Sequence, residues 1–356
     1  MNCLRNGNTV KLNQIKEILY YVFYFSQLVC VAWGWGTADL PYKVIFGIGT
    51  ICLLICMFYT SYSIKEKICM IILSGLAAVA FFRNGNRSLI LALMAVFGCK
   101  DINIKKILGY SLWIYVVFTA LKVSFCAIGV LPNEVLWLPK ENGEYYHIRS
   151  YGYDTANGLY FHLVVIVLLA AVRYEGRRLW RILLLITVFM FAAYKVLRSR
   201  TGFICYLVFL ILYLIYHVMK KIRAEKYFLR VLVISPLLLC LMNWLFIWIY
   251  GVDNNWVELL NDLVNGRIRL ASNAFFEYGL SMLGSRGAGQ LDMLYATMLL
   301  DYGLVLSVVG IFGYIKALWL LYRRDEGIII ISMTVLAVYS FMEVNAINPI
   351  WNPFLL

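Results

Sequence analysis

Apolar residues in this chain fall into long runs broken by short polar segments, and the runs approach the roughly 17–25 residues a helix needs to cross a bilayer. Read on that scale, the sequence predicts helices near 17–36, 42–60, 67–82, 88–99, 107–129, 156–173, 180–197, 202–219, 228–250, 292–321 and 328–346. The expected fold class is all-α: a polytopic transmembrane helix bundle of about eleven helices forming a single integral membrane domain over 1–356. The third and fourth runs are short and separated only by RNGNRS, so they could be two tilted spans or one re-entrant hairpin. The basic N-terminal segment lacks a small-x-small cleavage site, and the first helix is expected to remain as an anchor. The terminal NPIWNPFLL is too short to span, and its end is expected outside.

Two polar stretches, 130–155 and 251–291, are the only loops large enough to bind a ligand, and both are expected on the outer side. In the later one, Trp256, Leu260, Leu263, Val264, Ala271, Ala274, Phe275 and Tyr278 recur at helical spacing. Asn261, Asn265, Arg269, Asn273 and Glu277 step by four along another face. The pattern predicts an amphipathic helix lying along the membrane surface.

Composition agrees with a lipid-embedded chain: 63% of residues are hydrophobic and 14% charged, against about 45–50% and about 25% in soluble domains. The net charge of +13 does not imply a nucleic-acid partner. The basic residues lie between apolar runs rather than in a stripe with interleaved aromatics. They work as topology signals, since cytoplasmic loops carry the excess of Lys and Arg. With the N-terminus placed inside, most of them fall in inner segments as a mixture of the two types. The smaller outer set is mostly arginine and clings to helix ends. An arginine near the membrane core costs about 2.5–3.5 kcal/mol on insertion scales, so this outer set asks for anionic partners.

Nine cysteines lie in or beside apolar runs or on the inner side, and no disulfide framework is expected. Cys52 and Cys56 share a helix face without a completing histidine or cysteine pair, and His147, His162 and His217 are the only histidines, so no metal site is expected. GSRGAG lacks the Lys and Ser/Thr of a phosphate-binding loop. No cofactor is expected.

Four constellations could carry chemistry. Lys195, Arg198 and Arg200 in YKVLRSRTG crowd cations at one helix end, which either snorkel to headgroups or enclose an anion. Arg83 and Arg87 flank the RNGNRS tip, as lipid anchors or substrate contacts. HIRSYGYDTANG brings His147, Arg149, Asp154 and Asn157 to the start of the sixth helix, where Asp154 or Thr155 could also act as the N-terminal cap. The late loop supplies Arg267, Arg269 and Glu277. Arginines at several outer helix ends, together with no nucleotide site, suit an anionic lipid that carries its own activation, such as a polyprenyl diphosphate sugar.

At this level the chain resembles the O-antigen polymerase and ligase superfamily, especially capsular repeat-unit polymerases of Gram-positive bacteria. SYGYDTANG is similar to the family's G-F-x-H-P-N-x-x-G stretch, with Gly152 and Asn157 in matching places; RSRTG resembles its S-R-T/S-G/A helix end. NGR with Arg267, and LDMLY with Asp292 and Tyr295, resemble the late-loop pattern. Thr155 stands where many relatives carry His. The resemblance implies a polysaccharide polymerase in a bacterial plasma membrane, with its active site on the outer face. It would transfer a glycan from its polyprenyl diphosphate carrier to a hydroxyl of another lipid-linked repeat unit, without a metal and with inversion. A chain-length regulator and a flippase are the implied partners beside the lipid-linked oligosaccharide and the bilayer.

Asp154, Glu277 and Asp292 are the candidate catalytic carboxylates: if the His of relatives acts as a base, its role must move to another residue here or be unnecessary. Arg198, Arg200, Arg267 and Arg269, with Lys195, are expected to clamp phosphates, and Arg83, Arg87 and Arg149 to assist. Asn157 and Tyr295 are expected to orient sugar hydroxyls, while Glu343, with Asn345 and Asn348, either pairs with the arginines or neutralises them. A ligase acting on a foreign acceptor and a transporter or flippase of lipid-linked oligosaccharide are the rival readings.

Overall fold

The computed structural model describes residues 2–35, 39–85, 87–139, 145–251, 255–285 and 291–356. The helices in chain order are α1 (Asn2–Trp33), α2 (Leu40–Phe58), α3 (Ile64–Asn84), α4 (Ser88–Gly98), α5 (Ile104–Ala127), α6 (Ala156–Arg173) and α7 (Arg177–Leu197). They continue with α8 (Arg200–Lys221), α9 (Glu225–Tyr250), α10 (Asn255–Leu263), α11 (Arg267–Tyr278), α12 (Leu294–Thr297), α13 (Gly303–Arg323) and α14 (Gly327–Ser340). A π-helical turn, Met298–Tyr302, joins α12 to α13.

Each predicted apolar run falls on a helix. Among the described residues, 7 helices are long and apolar enough to cross a membrane, and α4 and α14 are shorter apolar helices. The chain is therefore a largely helical, multi-pass type of molecule. Local chemistry sets several boundaries. Ser63 and Glu66 form a reciprocal capping box at α3, Asn103 caps α5, and left-handed Gly85 closes α3 before the RNGNRS turn.

Ion pairs show which loops share an end of the bundle. Lys16 meets Asp101 at 3.2 Å, Lys106 meets Glu17 at 3.1 Å, Lys100 meets Glu66 at 2.6 Å, and Lys105 meets Glu326 at 2.5 Å. Lys226 meets Asp325 at 3.7 Å. Pairs of this kind, each with at least one exposed partner, add little stability, but they gather the lysine-rich loops at one end. Because Lys100 follows α4 and Glu66 opens α3, these two helices form an antiparallel pair that returns the chain to its starting level.

The 14-residue α14 is the hub, buried along its whole length except at Val338, which is half-buried. A helix that is apolar all round belongs inside a bundle, and α14 packs against α6, α8, α9 and α13. Buried tyrosines tie helices together through backbone carbonyls, as in Tyr20 to Ala95 (3.0 Å) and Tyr160 to Met190 (2.9 Å).

Three features differ from the sequence expectation. The first outer loop contains a two-stranded antiparallel hairpin, β1 (Val135–Pro139) and β2 (Tyr145–Arg149), with Val135 opposite Arg149. The expected single amphipathic helix of the late loop is two helices, because Asn265 and Gly266 both adopt left-handed backbone (φ 57 and 77) and break it. Nor does that region simply lie on the membrane, since Ile268, Ala271 and Ala274 of α11 pack with Ile247, Met293, Ala296 and Leu300. Lastly, the terminal segment turns inward. Tyr24 donates to the Pro349 carbonyl at 3.1 Å and Tyr115 to that of Ile350 at 3.0 Å, while Ile350, Asn352, Pro353 and Phe354 are buried.

Candidate functional site

The site is built around the carbonyl end of α14. The last carbonyls of a helix lack intrahelical partners, and here side chains from three other elements meet those at and just beyond its end. Tyr295 donates its hydroxyl to the Ala337 carbonyl at 2.9 Å, buried Asn243 reaches the Phe341 carbonyl at 3.4 Å, and Arg267 Nη1 donates to the Met342 carbonyl. A cation there is also favoured by the helix dipole.

Arg267 opens α11 directly after the left-handed Asn265 and Gly266 pair, while Asn261 accepts the Arg269 amide at 3.0 Å and fixes the turn. The Arg267 guanidinium then meets two carboxylates: Nη2 lies 2.8 Å from Glu343 Oε1 and Nε 3.3 Å from Asp292 Oδ2. Asn157, in the first turn of α6, donates to Glu343 Oε1 at 3.4 Å. The α6 cap is Thr155, whose hydroxyl accepts the Gly158 amide at 3.0 Å, so Asp154 does not fill that role.

The two carboxylates sit in different surroundings. The Asp292 side chain is 54% exposed and that of Glu343 only 11%. Glu343 stands beyond the end of α14, and burial pushes its carboxyl above the ordinary range while Arg267 pulls it back, burial prevailing. Opposed environments for paired carboxylates are a recurrent way of separating acid and base roles. With all three guanidinium nitrogens engaged, Arg267 orients these carboxylates more than it offers itself to an anion.

The other predicted residues are distributed around this centre. Lys195, Arg198 and Arg200 are exposed at the junction of α7 and α8. That junction lies close to α6, where Gly202 is in tight contact with the Tyr160 ring. Ser199 between the arginines is buried, and its hydroxyl has no hydrogen-bond partner among the described residues.

Arg83 reaches the late loop, donating to the Gly284 carbonyl at 2.8 Å and Ser281 Oγ at 3.2 Å; neighbouring Asn84 donates to the Asp301 carbonyl at 2.6 Å. Arg87 is exposed at the start of α4. Arg149 ends β2 at the surface. The Arg269 side chain is exposed. Glu277 and Asp154 are exposed. Tyr295 is 3% exposed, its hydroxyl committed to α14. The His147 side chain and Arg286 lie outside the described residues. The structure thus joins Asn157, Arg267, Asp292 and Glu343 and leaves Asp154, Glu277 and Arg269 outside that contact.

One group carried no role in the sequence reading. Lys122 is buried, with its ammonium 4.0 Å from the centre of the Tyr153 ring. The Tyr153 hydroxyl lies 3.1 Å from Thr119 Oγ1 and 3.2 Å from His162 Nδ1. These contacts hold SYGYDTANG against α5 and α6. A lysine inside an apolar run was the available signal. Among the described residues no three metal-binding side chains converge.

Comparison of the chain with protein-family models, curated proteins and solved structures returned no match.

Proposed function

We propose that this chain is a membrane glycosyltransferase that lengthens a polysaccharide on the outer face of a bacterial plasma membrane. It would transfer a glycan from a polyprenyl diphosphate to a hydroxyl of another lipid-linked repeat unit. The observation that carries this reading is convergence: SYGYDTANG, NGR and LDMLY, far apart in sequence, meet through Asn157, Arg267 and Asp292 around Glu343. These residues belong to the outer segments of the positive-inside assignment, whereas the ion-paired lysine loops belong to the inner ones.

In this reading Asp292, the carboxylate open to solvent, accepts the proton of the attacking hydroxyl. The hydroxyl oxygen bonds to the anomeric carbon as the bond to the diphosphate oxygen breaks, and the diphosphate leaves with the electron pair. Attack opposite the leaving group inverts the anomeric configuration. Arg198 and Arg200, with Lys195, hold the departing diphosphate, a task suited to the bidentate geometry and permanent charge of guanidinium groups. Arg267 and Glu343 fix the orientation of Asp292, and Asn157 positions Glu343.

Reconstitution with a lipid-linked repeat unit tests the proposal. Lengthening of the glycan is the expected result. Translocation without lengthening would make the protein a transporter, and transfer to a foreign acceptor would make it a ligase; either outcome overturns the polymerase reading.

A further inference from the structure

A cavity of about 800 Å³ lies among α3, α4, α5, α13 and α14; it reaches Tyr295 and Ala337 at one end but not Arg267, Asp292, Glu343 or Asn157. Its walls are apolar, including Leu89 and Leu93 of α4, Leu306 of α13 and Met333 of α14. Val96, Val309 and Leu320 line it and are also exposed on the outside of the bundle, so it opens sideways toward lipid. Gly313 faces it from the middle of α13, and a Cβ built there would meet nothing within 4 Å. Small residues on membrane helices ordinarily mark close helix contact. Gly313 marks instead a space that no part of the described chain fills.

The mouth of the slot is charged. Lys105, Arg324 and Glu326 line it at the lysine-rich end. Lys105 is paired with Glu326 at 2.5 Å, and among the described residues exposed Arg324 has no carboxylate within ion-pair distance. One positive charge is therefore left over beside an apolar slot open to the bilayer. That pairing of chemistries matches one occupant, because basic pockets between membrane helices on the cytoplasmic side take up anionic lipid headgroups.

We propose that the slot holds an acyl chain of a glycerophospholipid whose anionic headgroup rests against Arg324 and Lys105. The proposal does not rest on the glycosyl transfer suggested above: the slot reaches Tyr295 and Ala337 at one end, but Arg324, Lys105 and Gly313 touch none of Asn157, Arg267, Asp292 and Glu343. The bound lipid fills the seam between the α3–α4 pair and α13.

The test incubates the purified full chain with equal amounts of phosphatidylglycerol and phosphatidylcholine bearing identical chains, then counts retained lipid by native mass spectrometry. Preferential retention of phosphatidylglycerol is expected. Arg324→Gln should reduce that preference roughly fivefold, the effect of one basic side chain near an anionic headgroup. Arg323→Gln, exposed but not lining the slot, should leave it unchanged. Gly313→Trp should abolish retention of both lipids. Equal retention of the two lipids by the native chain, or unchanged retention in Gly313→Trp, overturns the proposal. Should Gly313→Trp fail to accumulate, an unchanged preference in Arg324→Gln overturns it alone.

Discussion

Arg267 and Glu343 lie 76 residues apart in sequence yet meet at 2.8 Å, their side chains only 10% and 11% exposed. Removing one member of a buried pair leaves the other uncompensated, typically at a cost of about 3–5 kcal/mol. Arg267 retains Asp292 and the Met342 carbonyl, so Glu343→Ala should fall near the lower end, about 3 kcal/mol, in thermal unfolding in detergent. Arg267→Met combined with Glu343→Leu should cost less than the sum of the single changes. Strictly additive losses would show that the contact carries no coupling.

Asp292 is the exposed arm of the same cluster. Asp292→Asn should lower the rate of glycan transfer by about 10²–10⁴-fold, the usual contribution of general base assistance, with little change in thermal stability. Asp154→Asn and Glu277→Gln should have small effects on rate, because neither carboxylate touches the cluster. Equal losses in all three variants would remove Asp292 from the role of base.

Arg200→Lys preserves charge but removes the planar fork that grips a phosphate through two hydrogen bonds. Shortened or absent polymer at unchanged abundance in the membrane is the expected phenotype. Normal chain lengths would count against phosphate binding at this residue.

Tyr295→Phe should act on stability rather than on substrate affinity. Its hydroxyl serves the Ala337 carbonyl in the last turn of α14, and leaving a buried acceptor without a partner costs about 1–3 kcal/mol. A lowered melting temperature with an unchanged KM is expected. A raised KM without loss of stability would return Tyr295 to the sugar-orienting role.

Helix positions were legible because length and hydropathy in lipid leave few alternatives: 156–173 was read to the residue, and 202–219 falls inside α8 (Arg200–Lys221). The hairpin is absent from the sequence expectation, although Val135–Pro139 and Tyr145–Arg149 are rich in apolar and aromatic residues and flank Lys-Glu-Asn-Gly-Glu, a strand and turn signal. In the late loop, four-residue spacing suggested continuity where the Asn-Gly pair stops the helix. Asn157, Arg267, Asp292 and Glu343 could each be picked out as polar residues near outer helix ends. Pairing of Glu343 with the arginines was one open alternative; that Arg267 is the partner, and that Asp292 and Asn157 join them, was not legible, because it depends on α14 ending at Ser340 rather than continuing through Glu343. The same early ending turns Tyr295 from a surface candidate into an interior brace.

The 11-residue α4 measures about 16 Å, roughly half the depth of a bilayer's oil layer. The α14 helix is short too, but other helices shield it, whereas α4 presents Val96 to the surroundings. In a bilayer, fatty chains alongside α4 would have to shorten or disorder to meet it, pinching the lipid layer locally. The protein's behaviour in artificial membranes will accordingly track the carbon number of the chosen fatty acids.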